Sequence, residues 1–245
     1  MTAVILAAGL GSRMGASEAR APKCLLRIGG QTLIERSLAS ISRAGVRDAI
    51  VVNGYGAAEI EGVLAAHPLP SIRFVRNPDF GSTGSMQSLL RARHILSDDI
   101  LVLESDLLYE ERAIAAILDQ GNADGILVSA PLKSGDDVWV HADPRGALSA
   151  LGKAAPRDGA IGALVGISRL SRSFMEHLLR YAESESRAGQ WHYEEGILAA
   201  SLNGFPVHCV TVPDLAWIEI DTPADLMRAE QSVWPEIQRR ANGVS

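Results

Sequence analysis

The run Ala3-Val4-Ile5-Leu6-Ala7-Ala8, followed at once by Gly9-Leu10-Gly11-Ser12-Arg13-Met14-Gly15, limits the folds open to this chain more than any other stretch. Six residues without a polar side chain have no solvent face, so the strand they form must be covered on both sides, as in a parallel sheet. Glycines at its end remove the β-carbons that would keep an anion from backbone N–H groups, and a following helix adds partial positive charge, so this start predicts phosphate binding. A dinucleotide fingerprint, G-x-G-x-x-G, would need glycine where Met14 stands, and the second strand ends in Asn53 rather than an acid for a ribose hydroxyl. The P-loop pattern is absent. A purely structural turn would leave Arg13 and the later Pro22-Lys23 without a purpose.

With 245 residues, 47% of them hydrophobic and 21% charged, the chain can bury a large core, and one α/β domain spanning 1–245 is the expectation. A formal net charge of −6 argues against a broad nucleic-acid surface, although Arg13, Arg20, Lys23 and Arg27 can form a local basic pocket suited to small anions. The apolar runs fall short of the ~20 residues of a membrane span, and the first strand carries no basic leader, so no membrane partner and a cytoplasmic location are expected. Cys24 and Cys209 lie far apart with no C-x-x-C, which fits two core thiols better than a zinc site or a disulfide. Monomer and homodimer are both open.

Strands and helices alternate up to about residue 130, which predicts a Rossmann-like, mostly parallel sheet. Strands are expected at 48–52, 72–76, 100–104 and 125–130, and helices at 57–66, 85–96 and 111–120, after a first helix opened by the capping box Thr32-Leu33-Ile34-Glu35. In such sheets ligands sit at the carboxyl ends of the strands, which gathers Leu6, Ala7, Ala8, Gly9, Gly11, Ser12 and Arg13 with Asn53 and Glu104 at one crevice. Residues 131–160 break the alternation. Strands at 137–142 and 147–153 about the turn Asp143-Pro144-Arg145-Gly146 predict a small β-hairpin inserted as a lid. Beyond it come a strand at 163–167, helices at 171–183 and 194–202, a strand at 207–212 and a last helix from Pro223.

Chemistry is concentrated at a few positions. Arg13 and Lys23 stand at a glycine loop and behind a proline, where cations can stabilise charge building on a transferring phosphoryl group. Asp106 follows the apolar run Ile100-Leu101-Val102-Leu103, where an acid has no packing role and can hold magnesium through oxygen. In Trp217-Ile218-Glu219-Ile220-Asp221, Glu219 and Asp221 share one face; Asp221 is either a second metal ligand or the cap of the helix opened by Thr222-Pro223. The second glycine loop, Ser82-Thr83-Gly84-Ser85, can read a base edge or cap a helix.

Together these motifs resemble the nucleotidyltransferases of the sugar-phosphate nucleotidylyltransferase superfamily, whose opening motif is matched by Leu6 to Gly15 and then by Pro22-Lys23-Cys24-Leu25-Leu26. Within it, the chain is similar to cytidylyltransferases acting on phosphocholine or 2-aminoethylphosphonate, through Asn77-Pro78-Asp79-Phe80, Ser82 to Met86, Leu103-Glu104-Ser105-Asp106-Leu107, Ser134 to Val138 and Ile218 to Asp221. The resemblance implies a nucleotide-diphospho-sugar transferase fold and transfer of CMP from CTP to a small phosphonate or phosphate, with loss of pyrophosphate. It implies that the first loop and Arg13 bind the triphosphate, that Lys23 steadies the reacting phosphates, that Asp106 and Asp221 hold magnesium, and that Ser82 to Ser85 recognise cytosine. Thr83-Gly84 departs from the paired asparagines of the phosphocholine enzymes. The Arg-Met-Gly form of the first loop also resembles molybdenum-cofactor nucleotidyltransferases, and a non-catalytic nucleotide-binding regulator is a further alternative.

For the acceptor, Asp136, Asp137, Glu194 and Glu195 supply carboxylates and Trp139, Trp191 and Tyr193 aromatic faces, although the acidic runs can equally be solvated surface. Carboxylates suit a primary ammonium, which donates three hydrogen bonds, whereas a quaternary head depends on an aromatic cage. With 5% aromatic residues, the primary amine is favoured.

Overall fold

A computed structural model describes residues 1–14, 21–65, 67–68, 71–120, 124–132 and 137–243. The chain runs through β1 (Thr2–Ala7), the small hairpin β2 (Arg27–Ile28) and β3 (Gln31–Thr32), α1 (Leu33–Arg43), β4 (Asp48–Asn53), α2 (Ala57–Leu64), β5 (Ser71–Arg76), α3 (Ser85–Ala92), β6 (Ile100–Glu104), β7 (Leu107–Tyr109) and α4 (Arg112–Asp119). It continues with β8 (Gly125–Ser129), β9 (Trp139–Ala142), β10 (Leu148–Gly152), β11 (Gly162–Leu170), α5 (Arg172–Ser184), α6 (Tyr193–Leu202), β12 (His208–Thr211), β13 (Trp217–Glu219), α7 (Pro223–Arg228) and α8 (Trp234–Ala241).

The expected two-sided burial of the first strand is what organises the molecule. Ala3, Ile5 and Ala7 enter one apolar cluster with Ala49, Val51, Leu101 and Leu103, while Val4 and Leu6 enter another with Ile50, Val52, Ile100 and Val102. The even and odd residues of β1, β4 and β6 thus face opposite helical layers. These strands and β5 are mutually parallel, in the order β6-β1-β4-β5.

Among the described residues nine strands form this sheet, and the part beyond β6 is mixed. β11 runs antiparallel to β6 along one edge and to β8 along the other, with β12 parallel to β8 outside it. The hairpin forms where expected, and β9 pairs with the start of β11, so β9 and β10 continue the sheet edge. Two short ribbons were not foreseen: β2 with β3, and β7 with β13.

Helix ends follow their capping chemistry. Thr32 caps α1 and exchanges hydrogen bonds with Glu35, and Ser171 caps α5 by accepting from the Phe174 amide. The expected helix 85–96 is α-helical only to Ala92 and then tightens into one turn over Arg93–Ile95. The last helix widens into a π turn at Ala229–Val233 before α8, because Pro235 has no N–H to give and its ring crowds the carbonyl four residues earlier. No helix among the described residues is long and apolar enough to cross a membrane.

Behind β4 the chain is crowded against the first loop. The Tyr55 amide donates to the Ala8 carbonyl at 3.2 Å, and a β-carbon on Gly56, whose φ is +58°, would overlap the Pro22 ring. Gly56→Ala is therefore expected to cost about 2 kcal/mol or more, from left-handed strain and overpacking together, as a lowered urea midpoint.

Candidate active site

The first loop closes as a single turn, Ser12–Met14, made possible by Gly11 at φ +63°. Met14 is buried in a third apolar cluster with Ile28, Leu33 and Ile218, which anchors the loop and leaves the Arg13 side chain half exposed. Pro22 precedes another single turn, Lys23–Leu25, in which Cys24 is buried. A side chain on Gly11 would press on the aliphatic stem of Lys23.

The β7/β13 ribbon supplies the opposing charges. Leu107 pairs with Glu219, and the Ile220 amide donates to the Asp106 carbonyl at 3.0 Å, so Asp106 and Asp221 are brought side by side from distant parts of the sequence. Lys23 Nζ lies between them, 2.9 Å from Asp106 Oδ2 and also bonded to Asp221 Oδ1. Arg13 Nη2 reaches Asp221 Oδ2 at 2.6 Å. Burial is the largest influence on Lys23 and would lower its pKa, but the two carboxylates outweigh it and hold the ammonium above the ordinary lysine value. Asp221 is not the cap of α7. That position belongs to Thr222, whose hydroxyl accepts from the Asp225 amide while the Asp225 carboxylate takes the Thr222 amide.

Oxygens of Glu104, Asp106 and Glu219 lie within 4.8 Å of one another. Burial, with the neighbouring Asp106 and Asp221, pushes Glu219 up to about 8. Glu104 is driven well above the usual carboxylate range by burial first and then by Glu219, Glu194, Asp106 and Asp221. Three crowded, water-poor carboxylates are a donor set that fits a hard divalent cation such as magnesium. Glu104 thus stands with the metal-binding candidates as well as at the nucleotide crevice, and Asp221, beside them, is bonded to Lys23 and Arg13. A glycine makes this possible: a β-carbon on Gly166 of β11, at φ +84°, would overlap the Glu104 carboxylate.

Two cavities meet at these charges. One, of about 270 Å³, is lined by Leu6, Ala7, Ala8, Gly9, Gly11, Arg13, Lys23, Thr83, Gly84 and Ser85, together with Asn77 and Phe80. The other, of about 400 Å³, is lined by Asp137, Val138, Lys153, Glu194, Trp217 and Arg228. Arg13, Glu104, His192, Glu219 and Asp221 face both.

Several expected residues stand elsewhere. Asn53 is fully buried at the end of β4 and donates to Glu61 at 2.8 Å, because Gly54 and Tyr55 turn the chain back against Ala8 before Asn53 can reach the crevice. Ser82 lies outside the first cavity, its hydroxyl bonded back to the Asp79 carbonyl. Tyr193 is a core residue, and Trp191 stacks on Tyr181. Trp139 lies under Arg157 at the sheet edge, and Glu195 is spent on the His192 amide as the capping acid of α6. Gly15, Arg20 and Asp136 lie outside the described residues, as does the Ser12 side chain. Lys153, His192 and Arg228 were missed, since none belongs to a spaced motif and only the folded sheet brings them to the cavity, and the alternating run Trp217 to Asp221 was read for its acids and not for its ring.

A family model, the MobA-like NTP transferase domain, matches residues 3–187. The chain belongs to this family. It is 31% identical over 240 residues to the CMP-5'-(3-aminopropyl)phosphonate synthase of Streptomyces rubellomurinus, covering 93% of this chain and 38% of that protein. It is 32% identical over 244 residues to the bifunctional IPC transferase and DIPP synthase of Rubrobacter xylanophilus, covering 94% of this chain and 51% of that protein. The chain thus spans about half or less of these two relatives. In fold it is similar to the inositol-1-phosphate CTP transferase from T. maritima, with a TM-score of 0.82 at 20% identity over 100% of this chain and 97% of that one. It is also similar to a CTP:phosphocholine cytidylyltransferase from Streptococcus pneumoniae, with a TM-score of 0.77 at 17% identity over 94% and 97%.

Asp106 belongs to the three-carboxylate cluster and Asp221 lies beside it. Asp106→Asn is expected to weaken magnesium binding roughly tenfold or more, and Asp221→Asn by less, as read by isothermal titration with the metal alone. An equal loss in both would put Asp221 among the metal ligands after all.

Proposed function

We propose that the chain is a magnesium-dependent cytidylyltransferase that transfers CMP from CTP to a short aminoalkylphosphonate, 2-aminoethylphosphonate in the first place. The observation that carries this reading is the junction of two cavities at a partly buried lysine and four carboxylates, one cavity floored by a glycine loop and the other lined by Glu194, whose Oε2 has no hydrogen-bond partner among the described residues. The relative whose name specifies an aminopropylphosphonate product supports it.

In this reading a phosphonate oxygen of the acceptor attacks the α-phosphorus of CTP as the bond to the β-phosphate oxygen breaks, and pyrophosphate leaves. The acceptor is an anion at neutral pH, so no residue has to generate the nucleophile. Arg13 and the backbone of Gly9 to Gly11 hold the triphosphate, and Thr83, Gly84 and Ser85 lie where a base edge would be read. Lys23 is a fixed, permanently charged ammonium at the place where negative charge accumulates, which is the property an electrostatic stabiliser needs. Magnesium held by Glu104, Asp106 and Glu219 would screen the phosphates from one another.

Specificity for a primary amine rests on Glu194. Its carboxylate lines the second cavity, and Oε2 is buried with no hydrogen-bond partner among the described residues. An alkylammonium supplies the N–H donors this oxygen lacks. Asp137 stands at the same cavity, though its Oδ1 already accepts from the Leu132 amide at 2.8 Å. Of the tryptophan, tyrosine and phenylalanine rings among the described residues Trp217 alone lines it, and Trp139, Trp191 and Tyr193 do not, so a full cage for a quaternary head is not formed.

Lys23→Ala is expected to lower turnover by about a hundredfold or more in a pyrophosphate-release assay run where circular dichroism shows the variant folded, its melting temperature falling because Asp106 and Asp221 lose their counter-ion. Run with each of the four triphosphates, the same assay tests the base: CTP binding without pyrophosphate release from any small phosphonate or phosphate would favour a regulatory nucleotide-binding protein. With CTP saturating, kcat/KM should be higher for 2-aminoethylphosphonate than for phosphocholine, and Glu194→Gln should remove most of that preference. A preference for phosphocholine would overturn the acceptor assignment.

A further inference from the structure

Gly84 occupies the position that caps α3, where serine, threonine, asparagine and aspartate are favoured because their side chains satisfy a free amide. Its backbone, at φ −81° and ψ 176°, is open to any residue. What excludes a side chain is a neighbour. A β-carbon here would overlap the Trp191 carbonyl oxygen and come within 2.6 Å of the Gln190 carbonyl oxygen.

That neighbour replaces the missing cap. The Trp191 carbonyl accepts from the Met86 amide in the first turn of α3 at 3.1 Å, and Ser85 Oγ returns the favour by accepting from the Tyr193 amide at the start of α6 at 2.9 Å. Two further bonds complete the clasp, from the Gly84 amide to the Gly189 carbonyl at 2.9 Å and from Gln190 Nε2 to the Ser82 carbonyl at 3.0 Å. Two helix starts thus cap each other across the first cavity's rim, and the residues directly after the clasp are His192, which faces both cavities, and Glu194, which lines the second.

We propose that Gly84 is a positioning residue for the acceptor: by having no side chain it lets the segment 189–191 close onto the nucleotide loop, and so sets how far His192 and Glu194 reach into the second cavity. A bulkier residue would push the Gln190 and Trp191 carbonyls outward, carry Glu194 with them and widen the site around the amine. The inference rests on the acceptor cavity of the proposed function, and it adds that a residue in the nucleotide loop tunes selectivity for the other substrate.

The test compares two alanines in the same loop. At Gly81 a β-carbon would find only Leu10 Cδ1, at 3.9 Å, so Gly81→Ala adds the same atom without the collision. With CTP saturating, Gly84→Ala is expected to raise KM for 2-aminoethylphosphonate about tenfold to a hundredfold, the scale of a displacement near 1 Å, and Gly81→Ala less than about threefold. Gly84→Ala should also lower the ratio of kcat/KM for the primary amine over its N-trimethylated homologue, which a simple loss of folded protein would not move. Gln190→Ala, which loosens the clasp from its other side without adding an atom, should shift the same ratio in the same direction by about threefold; it decides the matter if Gly84→Ala does not fold. If the parent chain turns over no aminoalkylphosphonate, the proposed function falls and this inference with it. If the parent works and neither Gly84→Ala nor Gln190→Ala changes the ratio, only the inference falls.

Discussion

Lys23 is the charge on which the site's arrangement depends. Four carboxylates, Glu104, Asp106, Glu219 and Asp221, converge where the parallel strands end, and such a group would repel itself apart in a water-poor crevice. One ammonium between Asp106 and Asp221, with Arg13 on the far oxygen of Asp221, offsets part of that repulsion in the protein alone. Burial and the same repulsion raise the pKa values of Glu104 and Glu219 beside Asp106, and a divalent cation bound there would relieve that repulsion. The lysine is therefore both a structural counter-ion and, in the proposed reaction, a stabiliser of the charge that develops.

The strand-loop start and the parallel block were legible because they are local. Six apolar residues in a row can only be a buried strand or part of a buried helix, and the glycines behind them decide between the two. Thr32 to Glu35, Ser171 and Pro223 announced helix starts through capping chemistry that needs no tertiary partner. The antiparallel setting of β11 was not legible, since a strand buried on both faces reads the same in either direction. Nor was the pairing of β7 with β13: the alternation over Trp217 to Asp221 could be read, but its partner, three residues long, is too short to show a period.

The same divide runs through the site. Arg13, Lys23 and Asp106 stand at strand ends or behind a proline, so their unusual placement shows in one dimension. Acids and aromatic rings sought for the acceptor were a matter of composition, and composition does not say which way a side chain turns. Glu194 and Glu195 are adjacent, yet the helix they open sends one into the cavity and the other back to its own cap. Asn53 looked like a crevice residue because it ends a strand of the parallel block, and it was turned inward by the close approach of the next residues to Ala8.

The pairing of β7 with β13 also bears on the order in which the protein can be made. Asp106 is held in register by residues 217–220, and the match to the family ends at residue 187. A ribosome that has released two hundred residues has supplied nearly every strand of the sheet, and the hydrophobic layers on both of its faces can already condense. It has not supplied Glu219 or Asp221. Until those residues emerge, Lys23 lacks one of its two partners, so a nascent or truncated chain can hold most of the scaffold while its charge balance is still incomplete.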